Sequence, residues 1–310
     1  MTFKYSNTNK RYHTLDYFYK NKFGCKVFKV SLNAGFTCPN IDGTAGIKGC
    51  IYCSNTGSGE YGGNPSDELP IQFNKVKTMM HKKWPKAKYI GYFQARTNTY
   101  APLNILKEKY ESILKLDNVV GLSIATRPDA ITDECLDYLE EINKRTFLTI
   151  ELGLQTIHED TNKHINRCHS SKCFDDMVYK LKERGIFVVA HVINGLPYED
   201  KGMMLETIKH LNNLKIDGIK IHMLSILKGT ALESLYKNKP FHLLTMDEYI
   251  DIVCDELELL NENIVIERLT GDPALSDLVA PLWLPKKINV LNGIDKEMQR
   301  RNSYQGKKVE

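Results

Sequence analysis

The feature that most constrains the fold is an alternation of apolar, strand-like segments with amphipathic, helix-like segments, which occurs six times between residues 26 and 260. The predicted strands are 26–32, 87–95, 119–126, 147–155, 186–195 and 218–227. The predicted helices are 72–84, 103–116, 132–145, 172–185, 203–215 and 246–260. Nearly continuous apolar strands that each precede a helix indicate a parallel sheet covered by helices.

Six such units predict an α/β fold of the partial (β/α)6 TIM-like barrel type, with an N-terminal loop extension and a C-terminal appendage. The expected division is a basic N-terminal extension at 1–25, the barrel at 26–260, and a C-terminal strand and basic segment at 261–310 that pack on the barrel. The strand in the last segment is predicted within 263–272. A chain of 310 residues suits one such domain with additions.

Composition places the chain among ordinary globular proteins, with 42% hydrophobic and 26% charged residues. No stretch approaches the ~18 apolar residues that a membrane-spanning helix needs. The first residues lack the apolar centre and cleavage site of a signal peptide. We therefore expect a cytoplasmic protein that does not bind a membrane.

Three cysteines lie close together in a loop rich in Gly, Asn and Asp, with the spacing C-x11-C-x2-C at Cys38, Cys50 and Cys53. Clustered thiols in a cytosolic protein indicate metal or redox chemistry before disulfides. A structural zinc site needs four ligands, so the three thiols would need His13 as well. A disulfide would leave one thiol unexplained, whereas a [4Fe–4S] cluster on three thiolates would leave one iron open to a ligand.

The remaining cysteines give weaker signals. Cys135 and Cys254 lie in amphipathic helical patterns and are expected to be small buried hydrophobic residues. Cys168 and Cys173 follow Arg167 closely, so a second metal site there is an alternative to two structural thiols.

Polar residues interrupt the apolar strands mainly near their ends, where active sites of parallel α/β folds lie. They are Gln94, Thr126, Arg127, Gln155, Asn194 and His222. His191 and His222 are expected either to face substrate or to be satisfied core residues. Glu151 lies inside an apolar strand, so its carboxylate should pair with Arg127 or a lysine.

The net charge of +4 is concentrated at the two ends of the chain. The basic residues there are Lys4, Lys10, Arg11, Lys20, Lys22, Lys26 and Lys29, and then Lys286, Lys287, Lys296, Arg300, Arg301, Lys307 and Lys308. Two basic ends around a nearly neutral body predict either a phosphate-binding footprint or ordinary solvated termini.

The cysteine loop, with its Cys50-Ile51-Tyr52-Cys53 ending, resembles that of the radical S-adenosylmethionine (SAM) enzymes, and its long first gap resembles their elongator-catalytic-subunit-like branch. Further stretches resemble the YtqA/YhcC-type subgroup of that branch: YFQARTNTYAP (92–102), ATRPDAI (125–131), ELGLQT (151–156), INRCH (165–169), INGLP (193–197) and ERLTGDPALSDLVAPLWLPKK (267–287). The resemblance extends over roughly residues 10–300.

This resemblance implies a [4Fe–4S] cluster held by Cys38, Cys50 and Cys53, with SAM bound to the open iron. It also assigns SAM contacts: Arg167 to the carboxylate, Gln155 to the ribose and Tyr52 near the adenine. Three further SAM contacts are implied at Gln94, Thr126 and Asn194. Two positions depart from the pattern, because Tyr92-Phe93-Gln94 replaces a Gly-Gly-Glu motif and Ala125 replaces a glutamate. No catalytic side chain is implied beyond these cofactors.

The resemblance further implies reductive cleavage of SAM to a 5′-deoxyadenosyl radical that removes hydrogen from a substrate. The subgroup implies tailoring of the wobble uridine of tRNA, in a step between carboxymethylaminomethyl- and aminomethyl-uridine. Expected partners are tRNA and an electron donor such as flavodoxin or ferredoxin. Two alternatives remain: radical SAM chemistry on a small metabolite, and a zinc-stabilised binding module without radical chemistry.

Overall fold

The centre of the fold is one parallel sheet of seven strands, seen in a computed structural model that describes residues 3–54, 56–57, 59 and 62–309. Its strands follow one another in chain order: β1 (Val27–Leu32), β2 (Lys88–Phe93), β3 (Val119–Thr126), β4 (Phe147–Gln155), β5 (Phe187–Asn194), β6 (Gly218–Met223) and β8 (Val265–Arg268). Two short strands, β7 (Ile226–Leu227) and β9 (Leu278–Ala280), form a separate antiparallel pair.

The sheet curls into a partial barrel, as the sequence predicts. Its first and last strands are not hydrogen-bonded to each other. Even so, Lys29 Nζ on β1 lies 2.6 Å from Glu267 Oε2 on β8, so the two edges approach across the interior. The strand predicted after Leu260 is confirmed as β8, which pairs with β6 in the register Gly218↔Val265. The C-terminal segment thus supplies the seventh strand of the sheet itself.

Helices cover the outer face of the sheet. They are α1 (Leu15–Phe23), α2 (Leu69–Lys83), α3 (Leu103–Leu114), α4 (Asp133–Arg145), α5 (Glu159–His164), α6 (Ser171–Glu183), α7 (Lys201–Asn213), α8 (Ala231–Asn238), α9 (Met246–Leu259) and α10 (Lys287–Arg300). Side-chain caps fix several starts; Thr245 and Glu248, for example, form a capping box at α9. Within the described ranges, no helix combines the length and apolar character needed to cross a membrane.

The six predicted helices are confirmed as α2, α3, α4, α6, α7 and α9, with ends shifted by a few residues. Cys135 on α4 and Cys254 on α9 are buried in the apolar layer between helices and sheet, as expected. The sequence did not predict α1, α5, α8 or α10. Two of these are short, and Asn289, Asn292 and Gly293 weaken the helical pattern of α10.

The two basic ends of the chain lie together beside β8. Thr14 forms a parallel bridge with Ile266, and the backbone amide of His13 donates to Gln305 Oε1 at 2.8 Å. Most of the basic side chains pair with acids of the fold: Lys4 with Glu262, Lys10 with Asp295, Lys20 and Lys26 with Asp16, Arg301 with Asp251 and Asp255, and Lys308 with Glu258. Much of the charge that suggested a phosphate footprint is therefore neutralised within the fold.

Candidate active site

A cavity of about 590 Å³ lies at the carboxyl ends of the strands. Its lining comes from β1 to β6, from β8, and from the loops that follow them. This is where parallel α/β folds place their active sites. A cavity of this size is within the range that binds small molecules and cofactors.

One side of the cavity carries the residues that the sequence singled out, and we call it the cysteine wall. It consists of Cys38, Cys50, Tyr52, Cys53, Arg127, Gln155 and Arg167, all of which line the cavity. The structure therefore brings the three predicted cluster ligands together with three of the predicted SAM contacts.

Hydrogen bonds join the cysteine loop to the turn that carries Arg167. Asn40 Nδ2 lies 3.5 Å from Cys50 Sγ and donates to the Asn166 carbonyl at 2.6 Å. In return, Asn166 Nδ2 donates to the Gly49 carbonyl at 2.7 Å. A β-carbon on Gly46 would lie 2.3 Å from Asn40 Oδ1, so a glycine is needed where the two segments meet. These contacts explain why the separate cysteine and INRCH motifs form one wall.

Arg167 is almost fully buried, at 1% exposure. One of its terminal nitrogens donates to the Thr156 carbonyl at 3.3 Å, and the other lies 3.1 Å from His169 Nδ1. Its Nε has no hydrogen-bond partner in the described part of the chain. Burial lowers the pKa of Arg167 to about 10, so it stays charged at neutral pH. Burial and the two nearby arginines lower the pKa of His169 to about 2, which leaves its ring neutral and able to accept from Arg167.

Arg127 is held in place by its own turn. Its Nε and Nη2 donate to the two carboxylate oxygens of Asp129 at 2.9 and 2.7 Å, and its Nη1 donates to the Arg167 carbonyl at 2.9 Å. Burial acts to lower the pKa of Arg127, but the Asp129 carboxylate and the nearby Cys50 and Cys38 outweigh it and raise the pKa. Arg127 therefore ends its strand and also places a fixed positive charge beside the cysteines.

Gln155 reaches the cavity through an irregular strand end. Its φ is 60°, in the left-handed region that non-glycine residues rarely adopt, and the pairing of β4 with β5 shifts register between Gly153 and Gln155. Such irregularities re-aim side chains next to active sites. A β-carbon on Gly153 would lie 2.7 Å from Gln155 Nε2. The glycine thus leaves the space that the Gln155 side chain occupies.

The other predicted SAM contacts divide into two groups. Gln94 and Thr126 line the cavity, and Thr126 Oγ1 lies 2.6 Å from Thr99 Oγ1. Asn194 is not part of the cavity lining. Its side chain is buried and donates to Glu256 Oε2 on α9 at 2.9 Å, on the helix-covered side of the sheet. This placement gives the predicted SAM contact at Asn194 no support.

Beneath the cavity lies a layer of polar side chains, one from each strand of the sheet, which we call the ionic layer. Its members are Lys29, Tyr92, Ser123, Glu151, His191, Lys220 and Glu267. Glu151 is its centre: it accepts from Lys29 at 2.7 Å, Tyr92 at 2.8 Å, Ser123 at 2.6 Å and His191 at 2.7 Å, and it also contacts Lys220. The prediction that Glu151 pairs with a lysine is confirmed; its ion pairs do not include Arg127.

The charges of the ionic layer are fixed by these contacts. Burial acts to raise the pKa of Glu151, but Lys220 and Lys29 outweigh it and hold the pKa well below its usual range. Burial lowers the pKa of Lys220 to about 8. Four members of the ionic layer also line the cavity: Tyr92, Glu151, His191 and Lys220. The layer therefore forms the charged base of the cavity.

A second part of the cavity lining was not predicted as a unit, and we call it the C-terminal wall. It consists of His222, Arg268, Asp272 and Lys287, from β6, β8, the loop after β8 and the start of α10. The His191 and His222 rings lie 5.3 Å apart. Burial lowers the pKa of both rings, so both are neutral. Both histidines line the cavity, which favours the substrate-facing alternative over the core one.

The donor set fits a cluster better than the alternative metal sites. His13 stacks on Tyr5 at 4.4 Å and is not part of the cavity lining, so it cannot complete a zinc site with the thiols. Cys168 and Cys173 are also absent from the lining. Over the described ranges, no group of three or more His, Cys, Asp or Glu converges as a site for a single ion. Three thiols that line one cavity match the cysteine ligation of iron–sulfur clusters.

Comparison with known families agrees with this geometry. Residues 44–211 match the radical SAM superfamily, and residues 216–300 match the Radical_SAM C-terminal domain. The second match contains all four residues of the C-terminal wall. The first match therefore covers most of the cysteine wall, and the second covers the C-terminal wall.

Individual relatives extend over nearly the whole chain. The protein YtqA of Bacillus subtilis is 51% identical over 305 residues, covering 98% of this chain and 95% of YtqA. The protein YhcC of Escherichia coli is 32% identical over 266 residues, covering 84% of each chain. The solved structure of Methanocaldococcus infernus Elp3 matches with a TM-score of 0.67 at 17% identity, and the match covers 91% of this chain and 64% of that one. This likeness concerns the fold. The chain belongs to the radical SAM superfamily, in an elongator-like branch together with YtqA and YhcC.

Proposed function

We propose that this chain is a radical SAM enzyme whose cysteine wall holds a [4Fe–4S] cluster and SAM, the cofactors of its family. The observation that carries the proposal is that Cys38, Cys50 and Cys53 line the same cavity as the buried Arg167. The chemistry that the two cofactors supply when bound is reductive cleavage of SAM to a 5′-deoxyadenosyl radical, which can remove hydrogen from a substrate.

The protein's own residues would bind and orient these cofactors. The three thiols would ligate the cluster as thiolates. Arg167 offers an Nε donor that has no partner in the described residues, and a guanidinium donates to a carboxylate in a planar fork. It therefore fits the carboxylate of SAM. Arg127 adds a fixed positive charge next to the thiolates, which stabilises their ionised form.

For the substrate, we propose the wobble uridine of tRNA, whose carboxymethylaminomethyl side chain would be converted to the aminomethyl form. Support comes from the likeness to the YtqA/YhcC-type subgroup on which the sequence interpretation rests. A base flipped out of its stack could enter a cavity at the strand ends. An electron donor such as flavodoxin or ferredoxin would reduce the cluster.

A second candidate is radical SAM chemistry on a small metabolite. One observation favours it: many basic side chains at the two ends of the chain are paired with acids of the fold. Salt-dependent binding of tRNA needs lysines and arginines that can contact phosphates. If tRNA is the substrate, its main contacts should therefore lie nearer the cavity than the termini.

Modified-nucleoside analysis of tRNA separates the two candidates. Cells lacking this protein should accumulate the carboxymethylaminomethyl form of the wobble uridine, and the wild-type gene should restore the aminomethyl form. A gene carrying Cys50→Ala should fail to restore it. Unchanged wobble uridines in the deletion strain would remove the tRNA proposal and leave the cofactor proposal standing. Anaerobic reconstitution that yields no iron and sulfide would remove both.

A further inference from the structure

We propose that Arg268 and Lys287 on the C-terminal wall form a binding subsite for an oxyanion of the substrate, either a carboxylate or a phosphate. The inference rests on the proposed function in that it takes the cavity as the place where substrate meets SAM. It adds a substrate class and two binding residues to that proposal.

The two cations come from different elements and share one acid. Arg268 ends β8, and its Nη1 lies 3.4 Å from Asp272 Oδ2. Lys287 is the first residue of α10 and contacts the other oxygen of the same carboxylate. Two positive charges against one negative charge leave this part of the lining with one positive charge in excess.

Other arginines of the fold have their positive charge fully paired with carboxylates. Arg301 contacts Asp251 at 2.5 Å, Asp255 at 2.6 Å and Glu297 at 2.7 Å, and Arg127 holds both oxygens of Asp129. Arg268 has a single long ion pair among its described contacts, although a guanidinium offers five N–H donors. Its side chain is 32% exposed and lines the cavity. Donors therefore remain available to a ligand there.

The charge of Arg268 extends to two neighbours in the cavity lining. Burial is the main cause of the lowered pKa of Lys220 and of His222, and the charge of Arg268 lowers both further. Burial and the charge of Arg268 lower the pKa of Lys287, so the two cations repel each other even though both contact Asp272. A bound oxyanion would remove this repulsion.

The chemistry of the pair indicates the kind of group it would bind. A planar guanidinium with an adjacent ammonium recognises carboxylates and phosphates, and these charge-assisted hydrogen bonds are stronger than neutral ones. In the proposed tRNA substrate, the oxyanion would be the carboxylate of the uridine side chain or a phosphate of the same nucleotide. Because both walls line one cavity, an anion held at Arg268 would keep the rest of the substrate in the cavity that also contains the predicted SAM contacts.

The test uses the reconstituted holoenzyme with SAM and its variants Arg268→Gln and Lys287→Gln. The matched control is Lys286→Gln, which removes an exposed lysine that adjoins Lys287 but does not line the cavity. Iron content and melting temperature show that each variant is folded and loaded. The probes are three anticodon stem-loop RNAs of one sequence, with carboxymethylaminomethyl-uridine, aminomethyl-uridine or uridine at the wobble position.

If the subsite binds the carboxylate, Arg268→Gln and Lys287→Gln weaken binding of the carboxymethylaminomethyl RNA about tenfold or more and leave the other two unchanged. If it binds a phosphate, they weaken all three RNAs equally, and Lys286→Gln weakens none. Wild-type affinity of both cavity variants for all three RNAs would overturn the subsite while leaving the tRNA proposal intact.

An RNA-free arm separates the subsite from the tRNA proposal. N-methylglycine and inorganic phosphate are titrated separately into the same holoenzymes, and the melting temperature is followed. Saturable stabilisation of wild type and Lys286→Gln, lost in Arg268→Gln and Lys287→Gln, supports the subsite even if no RNA binds. If the holoenzyme binds none of the RNAs and neither small molecule stabilises it, the subsite is rejected together with the tRNA substrate.

Discussion

The two walls of the cavity are assembled in different ways. The cysteine wall is built largely from two segments, 38–53 and 165–169, which are joined by hydrogen bonds such as that from Asn40 to the Asn166 carbonyl at 2.6 Å. The C-terminal wall takes His222, Arg268 and Lys287 from three elements, and it is assembled only when β8 joins the sheet. One wall is a pair of local motifs, whereas the other is a product of the whole fold.

This difference suggests a division of labour. Thiols and a buried arginine suit cofactors of fixed chemistry, whereas the partly exposed cations Arg268 and Lys287 suit an anionic group of a substrate. The ionic layer lies beneath both walls. Its Lys29 on β1 and Glu267 on β8 form an ion pair between the first and last strands of the sheet. Substitutions on the cysteine wall should therefore weaken or abolish cofactor binding, and substitutions on the C-terminal wall should affect substrate binding alone.

The largest effect is expected from the thiols themselves. Cys50→Ala should abolish bound iron and reduce SAM cleavage to background, because a cluster that loses one of three ligands is no longer held. Iron and sulfide per chain and the brown colour of the anaerobic protein measure the first effect, and 5′-deoxyadenosine formation measures the second.

The matched control for the thiols is Cys168→Ser. Cys168 is exposed and lies near the cysteine loop, since a β-carbon on Gly46 would come within 2.7 Å of its Sγ. Its loss should leave the iron content and SAM cleavage unchanged. If Cys168→Ser lost iron as Cys50→Ala does, the ligand set would not be the three thiols of the cysteine wall.

The next effect concerns Arg167. Arg167→Lys keeps the charge but removes the planar fork, so the dissociation constant for SAM should rise about 10- to 100-fold, since hydrogen bonds to charged groups contribute ~1.5–3 kcal/mol. The cluster should remain, because Arg167 is not among its expected ligands. Equilibrium binding of SAM to the reconstituted protein, with iron content measured in parallel, tests this. Unchanged SAM affinity would show that Arg167 only supports the fold.

A smaller effect is expected at Gly153, whose missing side chain leaves room for Gln155. Gly153→Ala should displace the Gln155 amide and weaken SAM binding by about three- to tenfold, the loss expected for one neutral hydrogen bond. Gln155→Ala should cause a similar loss. If Gly153 acts only through Gln155, adding Gly153→Ala to Gln155→Ala should change nothing further. Two losses that simply add would refute this coupling.

The sequence was enough to predict the sheet and the cysteine wall. Strand–helix periodicity identified six of the seven strands, and β8 was visible as the apolar run before Arg268. Cysteine spacing predicted Cys38, Cys50 and Cys53 as a ligand set, and the resemblance of the INRCH stretch predicted Arg167; all four line the cavity. The polar residues at strand ends, Gln94, Thr126 and Gln155, also line the cavity.

The rest depended on long-range geometry. The acid shared by Arg268 and Lys287 becomes visible only when the loop after β8 folds over the cavity, and no local pattern marks Asp272. Asn194 is the reverse case, because the sequence predicts a SAM contact there and the fold places its side chain away from the cavity. It stands at a strand end like Gln155, but successive side chains of a strand point to opposite faces. The side chain of Asn194 meets Glu256 on α9, whereas that of Ile193 lines the cavity.

The last prediction concerns the Asn194–Glu256 pair, where we expect no effect on cofactor binding. It tests whether Asn194 lies outside the SAM-binding residues. Glu256 is fully buried, its Oε1 lacks a partner among the described residues, and burial raises its pKa from 4.5 to about 8. The folded protein therefore binds this proton more tightly than the unfolded chain does. The contribution of protonated Glu256 to the free energy of unfolding is complete below the pKa that Glu256 has in the unfolded chain. It is lost as the pH rises through about 8.

Glu256→Gln replaces the protonated acid with a neutral amide that does not titrate. Between pH ~5 and ~8, the free energy of unfolding of the variant should therefore rise relative to wild type by roughly 1 kcal/mol per pH unit. Denaturant unfolding at several pH values measures this slope, and a constant offset from repacking does not affect it. SAM affinity should not change, because Asn194 and Glu256 lie outside the cavity lining. If the variant and the wild type had the same pH dependence and the variant bound SAM more weakly, Asn194 would be a SAM contact after all.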